Sequence, residues 1–200
     1  VYVPDIANDL ESSFTFGSGE SYGLELFFKK SKGDLTGWVG YTLSETNRTF
    51  TDINNGETFN ATYDRRHDLS VVANYEMSKQ WTFGGAFIYG TGNTFTPVKN
   101  IYFIEQGAVA EYGVRNSARI DPYHRLDLSA TLTPKKQFEK EKDFKSTWTF
   151  SVYNIYNRQN TFFISYDFQT DLAGGSAKGS AYKVSLFPVI PSVTWNFKWR

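Results

Sequence analysis

The sequence predicts an all-β fold, the antiparallel wall of a transmembrane β-barrel, read as about seven strands. Three observations carry this. From Leu69 every second residue is apolar (Leu69, Val71, Ala73, Tyr75), while Asp68, Ser70, Asn74 and Glu76 share the other face with Val72. Such segments recur at roughly 9 to 11 residues, the length a tilted strand needs to cross a bilayer. Aromatic residues make up 18% of the chain, and membrane barrels gather them in girdles at both water interfaces, where an amphipathic ring is most stable.

The first strand is expected from about Ser21 to Lys30, with Tyr22, Leu24, Leu26 and Phe28 on one face and Gly23, Glu25, Phe27 and Lys29 on the other. A tight turn at Ser31-Lys32-Gly33 leads to the second, Asp34 to Thr46, whose lipid row is Leu35, Gly37, Val39, Tyr41 and Leu43. Asn47 to Asp64 is rich in Asn, Gly, Asp and Thr and reads as a long polar loop. The third strand, Arg66 to Met77, turns through Ser78-Lys79 into the fourth, Gln80 to Gly90, with Trp81, Phe83, Gly85, Phe87 and Tyr89 in one row. A second long loop, Thr91 to Tyr123, holds an apolar piece at Ile101 to Ile104 that is expected to fold back over the mouth.

The fifth strand, His124 to Thr133, sets Leu126, Leu128, Ala130 and Leu132 against Arg125, Asp127, Ser129 and Thr131. A charged connection, Pro134 to Lys145, precedes the sixth, Ser146 to Asn157, with a continuation to Asp167; Gly174, Gly175 and Gly179 mark a flexible loop. The seventh ends the chain with Val193, Trp195, Phe197 and Trp199 on one face and Ser192, Thr194, Asn196 and Lys198 on the other.

Connections alternate short and long, as periplasmic turns and outer loops do. Residues 78–79 and 134–145 are therefore expected in the periplasm, the latter as an extended hairpin, and 47–65 and 91–123 outside the cell. Bacterial barrels close with an even strand number, and an open edge in lipid leaves backbone groups unpaired at several kcal/mol each. Seven strands thus call for further strands from elsewhere. The start, Val1-Tyr2-Val3-Pro4, has neither an initiator Met nor a signal peptide, so the chain is expected to belong to something longer.

Formal net charge is zero, so nothing electrostatic recommends nucleic acid. No window approaches the roughly 18 apolar residues of a transmembrane helix. The mean hydropathy of −0.45 is compatible with a barrel, whose strands average a lipid face with a wet one. Cys is absent, which excludes disulfides and zinc thiolates.

Several segments together resemble a known family. They are Tyr63-Asp64-Arg65-Arg66-His67-Asp68-Leu69, Trp81-Thr82-Phe83-Gly84-Gly85, and Tyr89-Gly90-Thr91-Gly92 leading to Phe95-Thr96-Pro97. With them come Tyr123-His124-Arg125-Leu126-Asp127-Leu128-Ser129, Phe150 to Arg158 with its Tyr-Asn-Ile-Tyr-Asn core, and Val184 to Ser192. In this order they resemble the barrel of TonB-dependent outer-membrane receptors, especially the Bacteroidetes type. The resemblance implies the C-terminal part of a barrel of about 22 strands whose lumen holds a plug. It implies import of an extracellular nutrient with energy transmitted by TonB, in the outer membrane of a Gram-negative bacterium. The implied partners are outer-membrane lipid, the upstream strands and plug of the same protein, TonB through that plug, and the barrel-assembly machinery; a surface lipoprotein is left open. No cofactor is implied.

Glu25, Lys29, Asp68, Glu76, Arg125 and Asp127 face inward and are candidates for lining a ligand path or holding the plug, Arg125 and Asp127 foremost; structural ion pairing and hydration is the plainer reading. His67 and His124, with no Cys, fall short of a zinc ligand set. Asp52 to Glu57 faintly resembles a calcium loop, but Tyr63 stands where its last Glu belongs. Asn47-Arg48-Thr49 and Asn60-Ala61-Thr62 fit the glycosylation pattern, relevant only to a eukaryotic secreted protein. No catalytic spacing such as a nucleophile elbow occurs, so an enzyme is not expected. Trp195, Phe197 and Trp199 form a terminal aromatic strand of the kind read by assembly machinery, with Arg200 after it.

Two other classes stay open. A small passive barrel needs one more strand within Val1 to Glu20, against Pro4, Asp5 and the glycines at 17 and 19. A soluble β-sandwich glycan-binding module would use strands of roughly 5 to 6 residues, about half the length read here.

Overall fold

The computed structural model describes residues 14–104, 107–135, 137, 144–171 and 176–199. Its first strands are β1 (Gly17–Lys30), β2 (Leu35–Phe50), β3 (Phe59–Asn60), β4 (His67–Glu76) and β5 (Trp81–Gly90). Then follow β6 (Thr94–Phe95), β7 (Val98–Ile104), β8 (Gly107–Tyr112), β9 (Ala118–Arg119) and β10 (Tyr123–Leu132). The last are β11 (Phe144–Tyr153), β12 (Thr161–Asp171), β13 (Ser176–Ser185) and β14 (Ile190–Trp199).

Seven long strands form one sheet in the order β1-β2-β4-β5-β10-β11-β14, with β3 appended to β2. The five neighbouring pairs from β2 to β14 are antiparallel. Their register joins the apolar rows read from sequence. Gly37 faces Ala73, Ala73 faces Gly85, Gly85 faces Leu128, and Leu128 faces Val152. Facing residues of an antiparallel pair share a side of the sheet, so the apolar row of each strand continues into the next.

At the short-turn end this apolar face carries an aromatic cluster. Trp81 and Phe83 stack at 6.1 Å, Trp148 and Trp195 at 5.8 Å, and Phe144 meets Trp199 edge-on at 5.8 Å. At the long-connection end Tyr41 bonds His67 Nδ1 at 2.8 Å, and His124, opposite Tyr89, bonds the Tyr156 hydroxyl at 2.8 Å.

Among the described residues no hydrophobic side chain is buried; the buried ones are Asp64, Thr94, Asn116, Asn154 and Thr161. A β-sandwich reading is therefore disfavoured, because two packed sheets would bury apolar side chains between them. Among the described residues the path of strands is also open, with β1 and β14 at its two ends, whereas a small closed barrel would pair them.

Local chemistry sets the turns. Gly33 (φ 88°) closes the β1–β2 turn. Ser78 Oγ accepts from the N–H groups of Gln80 (3.2 Å) and Trp81 (3.1 Å) to close the β4–β5 turn. Gly37 is forced by its neighbours, since a Cβ there would stand 2.1 Å from the Val72 carbonyl oxygen.

Several expectations need correction, the polar loop at Asn47 to Asp64 among them, since β2 runs on to Phe50 and β3 pairs with it. The sixth strand stops at Tyr153 rather than Asn157 and does not continue to Asp167, because Asn154 (φ 54°) turns the chain out of the sheet. Residues 161–171 and 176–185 instead form a separate hairpin, β12–β13, so Gly179 lies in a strand rather than a loop. The 91–123 segment is not plain loop: Ile101 to Ile104 belong to β7, paired with β8, and β6 pairs with β9. Gly17 and Gly19 open β1 rather than oppose a strand, and Phe144 and Lys145 already belong to β11. Residues 1–13, Lys136, residues 138–143, Gly174, Gly175 and Arg200, on which other expectations fall, lie outside the described residues.

The chain divides into two compact units. One comprises the described part of Val1–Tyr22 with Ser44–Asp64 and Asn93–Arg119; the other comprises Gly23–Leu43, Arg65–Gly92 and Ile120–Arg200.

Candidate functional site

The polar face of the seven-stranded sheet carries most of the candidate residues. One row across it is Thr36, Asn74, Gly84, Ser129, Ser151 and Ser192, linked strand to strand by register. Within it Ser151 and Ser192 hydroxyls lie 2.7 Å apart, and in the next row Thr131 and Thr149 lie 3.0 Å apart. A shallow concavity of about 330 Å³ opens here, lined in part by Asn74, Gly84, Asp127, Ser129, Ser151 and Tyr153. Gly84 keeps it open, since a Cβ would meet Ser129 Oγ at 2.6 Å.

At its rim Arg125 and Asp127 meet, as two residues on one face of a strand can. Asp127 Oδ2 accepts from Arg125 Nε at 3.0 Å and pairs with Nη2 at 2.9 Å. Arg125 Nη1 donates to the hydroxyls of Tyr123 (2.8 Å) and Tyr153 (2.6 Å), and the guanidinium lies 4.0 Å from the centre of the Tyr153 ring. Asp127 Oδ1 accepts the backbone N–H of Asn154 at 2.8 Å. A guanidinium engaged on three sides is a fixed positive strut, and its neutralising carboxylate braces the turn where β11 ends.

The other inward candidates are dispersed. Asp68 is paired with Arg65 at 3.3 Å, both side chains more than a third exposed; such pairs contribute about 0–1 kcal/mol. Glu25 and Lys29 are exposed on β1, at the end of the strand path, and Glu76 is exposed opposite Thr82. The structure joins Arg125 to Asp127 and gathers no further pair among the six. Trp195, Phe197 and Trp199 lie on β14, where Phe144 contacts all three rings. His67 and His124 each bond a tyrosine, and among the described residues no group of three or more His, Cys, Asp or Glu side chains could hold a metal. Asn54–Gly56, inside the segment resembling a calcium loop, is a 3-10 turn.

Beside the wall, in the connections flanking β10 and β11, two groups are shifted. The Lys183 ammonium, bonded to Asp121 at 2.5 Å, holds that carboxyl below its ordinary value. Burial raises the Tyr156 hydroxyl.

In the smaller unit, Asp64 is almost wholly buried. Its Oδ1 accepts the Thr46 N–H at 2.7 Å, its Oδ2 pairs with Arg119, and its backbone oxygen accepts from Arg119 Nη1 at 2.7 Å. Asn116 (φ 51°) donates from Nδ2 to the Asn60 carbonyl at 2.8 Å. On the β7–β8 hairpin, Tyr102 (2.6 Å) and Asn100 (2.8 Å) both donate to Glu111 Oε2. The Tyr102 hydroxyl, then Asn100, hold the Glu111 carboxyl below its ordinary value, and the same bond raises Tyr102.

Sequence reasoning missed Asp64, Asn116, Arg119 and Asn154 as organising residues. For Asn154 a signal was present, the paired asparagines of Tyr153-Asn154-Ile155-Tyr156-Asn157, since Asn tolerates positive φ better than other non-glycine residues. Asp64 and Arg119 are too far apart in the chain for any local pattern to join them.

Against known proteins, residues 2–155 match the family model described as TonB dependent receptor-like, beta-barrel. No curated protein and no solved structure matches the chain.

Proposed function

Because this chain belongs to the TonB-dependent receptor β-barrel family, a family of outer-membrane receptors and transporters, we propose that it forms the C-terminal part of a plugged barrel. That barrel imports an extracellular nutrient into the periplasm with energy transmitted by TonB. The observation that carries this reading is the register, which lays apolar rows from five neighbouring strand pairs on one face and a mostly polar set of Thr, Ser, Asn, Asp and Arg, with Trp38, Val72, Ala86 and Ile88 among them, on the other. A face of that kind suits lipid, and its reverse suits a wet lumen.

In this reading β1 and β14 pair with strands supplied by the rest of the receptor, which satisfies their outer backbone groups. The long connections and the β12–β13 hairpin face the medium, and the short turns face the periplasm. Arg125 and Asp127 line the lumen beside the plug, and the Trp195, Phe197, Trp199 row addresses β14 to the assembly machinery.

The test is solute depletion. One culture lacks the receptor, a second lacks functional TonB, and both are compared with the parent for the solutes they remove from a defined medium. The expected result is that one class of solute persists in both. Persistence in the receptor deletion alone would replace energised import with passive passage.

A further inference from the structure

The long connection between β11 and β14 leaves and rejoins the sheet through two asparagines. Asn154, about 1% exposed, donates from Nδ2 to the carbonyls of Arg158 (3.0 Å) and Phe187 (3.3 Å) and accepts the Arg158 N–H at Oδ1 (2.9 Å). Asn157 Oδ1 accepts the Val189 N–H at 3.1 Å. The outgoing leg is thus clasped to the returning one below the β12–β13 hairpin. Two successive backbone N–H groups fasten the clasp to β10: Asn154 donates to Asp127 Oδ1 on the polar face, and Ile155 donates to the Leu126 carbonyl at 2.9 Å.

Asp127 is not free to choose its orientation. A carboxylate torsion is broad and roughly two-fold by itself, but here the second oxygen is held by Arg125, whose fork is fixed by Tyr123, Tyr153 and the Tyr153 ring. We propose that the Arg125–Asp127 pair is a positioning device: it sets the order of the Asn154 clasp, so that a change in the pairing of Arg125 on the lumen side is transmitted to the β12–β13 excursion outside. This rests on the polar face being the lumen. The device joins a lumen-side charge pair to the root of an outer segment through a single carboxylate. Other ties of the excursion to the wall and its edge, Ile155 to the Leu126 carbonyl, Tyr156 to His124, Arg158 to the Pro122 carbonyl, Asn160 to both backbone groups of His124 and Lys183 to Asp121, do not pass through it.

Hydrogen exchange on the intact receptor tests this at three amides that end on clasp side chains or on Asp127, those of Asn154, Arg158 and Val189. Arg125→Gln is expected to speed their exchange about tenfold or more, since a bond to a charged acceptor loses its alignment, while β4–β5 amides change less than about twofold. In an Asp127→Ala background, Arg125→Gln is expected to add nothing. Unchanged clasp amides in a folded, heat-modifiable receptor would overturn the proposal, as would equal acceleration in the wall or an effect that survives Asp127→Ala. Should Arg125→Gln not fold, Tyr153→Phe, which removes one of its acceptors, is expected to give a smaller acceleration at the same amides, and no change there refutes the device. Quenching of a fluorophore at Ser129→Cys by doxyl-labelled lipid sinks the lumen reading alone, whatever the exchange data show.

Discussion

Leu128 offers the sharpest test of which face meets lipid, because the register fixes its depth. It stands opposite Gly85, midway between Trp81 and Tyr89 on β5, and those two aromatics mark the two ends of the apolar face. The interval from Trp81 to Tyr89 is about 27 Å of strand at about 3.4 Å per residue, or about 20 Å along the membrane normal at a tilt near 40°. Leu128 therefore belongs at the midplane, where an arginine costs about 2 to 4 kcal/mol. That is a loss of about 30- to 900-fold in the folding equilibrium constant at 1.36 kcal/mol per tenfold. Leu132, opposite Trp81, stands at an interface, where the same change costs about 0 to 1 kcal/mol. Ser129 is at nearly the same depth as Leu128 but on the polar face, opposite Gly84, so its arginine should be mild. Guanidinium unfolding of the intact receptor in lipid vesicles, read by the heat-modifiable band, should rank Leu128→Arg well below Leu132→Arg and Ser129→Arg. Equal losses at 128 and 129 would refute the assignment of faces, and equal losses at 128 and 132 would refute the depth scale.

Gly37→Ala should destabilise the wall by about 1 to 3 kcal/mol, because its Cβ would press on the Val72 carbonyl in the β2–β4 ladder; the same unfolding assay reads it, and an unchanged midpoint contradicts the contact. The bond from Tyr102 to Glu111 lowers the folded carboxyl, so its contribution to hairpin order is complete above the ordinary glutamate value of 4.5 and is lost as pH falls through the lowered one. A spin label at Val109→Cys should gain mobility on that descent, and Glu111→Gln should flatten the profile; equal profiles in both would remove the role of this carboxylate. For orientation, a membrane-impermeant thiol reagent on intact cells should label Asn55→Cys and spare Ser78→Cys, and the reverse pattern inverts the wall.

The seven wall strands were legible because a period of two survives in every one of them, and the register required nothing beyond joining like faces. Leu69, Phe87 and Leu128 share one face of the sheet for that reason. Legibility failed where the chain leaves the wall. The alternation across Trp148, Phe150 and Val152 gives no warning that Tyr153 is the last wall residue, since the stop is made by one backbone torsion at Asn154 and by partners at residues 127 and 187. The hairpin beyond it was hidden by Gly174, Gly175 and Gly179, which read as loop although Gly179 pairs with Phe168. Among the inward candidates, sequence set Arg125 and Asp127 on one face of one strand, and the structure pairs them. It could not see that the pair is already saturated by two tyrosine hydroxyls and an amide, which makes it a brace before it is anything else.

The interlocked apolar rows also bear on how mistakes in assembly are rejected. Slipping β10 by one residue against β5 would turn Arg125 and Asp127 outward and Leu126 and Leu128 inward, because the side-chain period is two. An arginine alone then meets hydrocarbon at about 2 to 4 kcal/mol if it lies near the midplane, before counting the carboxylate or the hydrophobic side chains stranded in water. Every strand whose two faces differ this much is checked by the surrounding solvent rather than by its neighbours. For a wall of this kind the bilayer itself becomes a proofreader of register, because a misaligned strand would carry its charges into hydrocarbon.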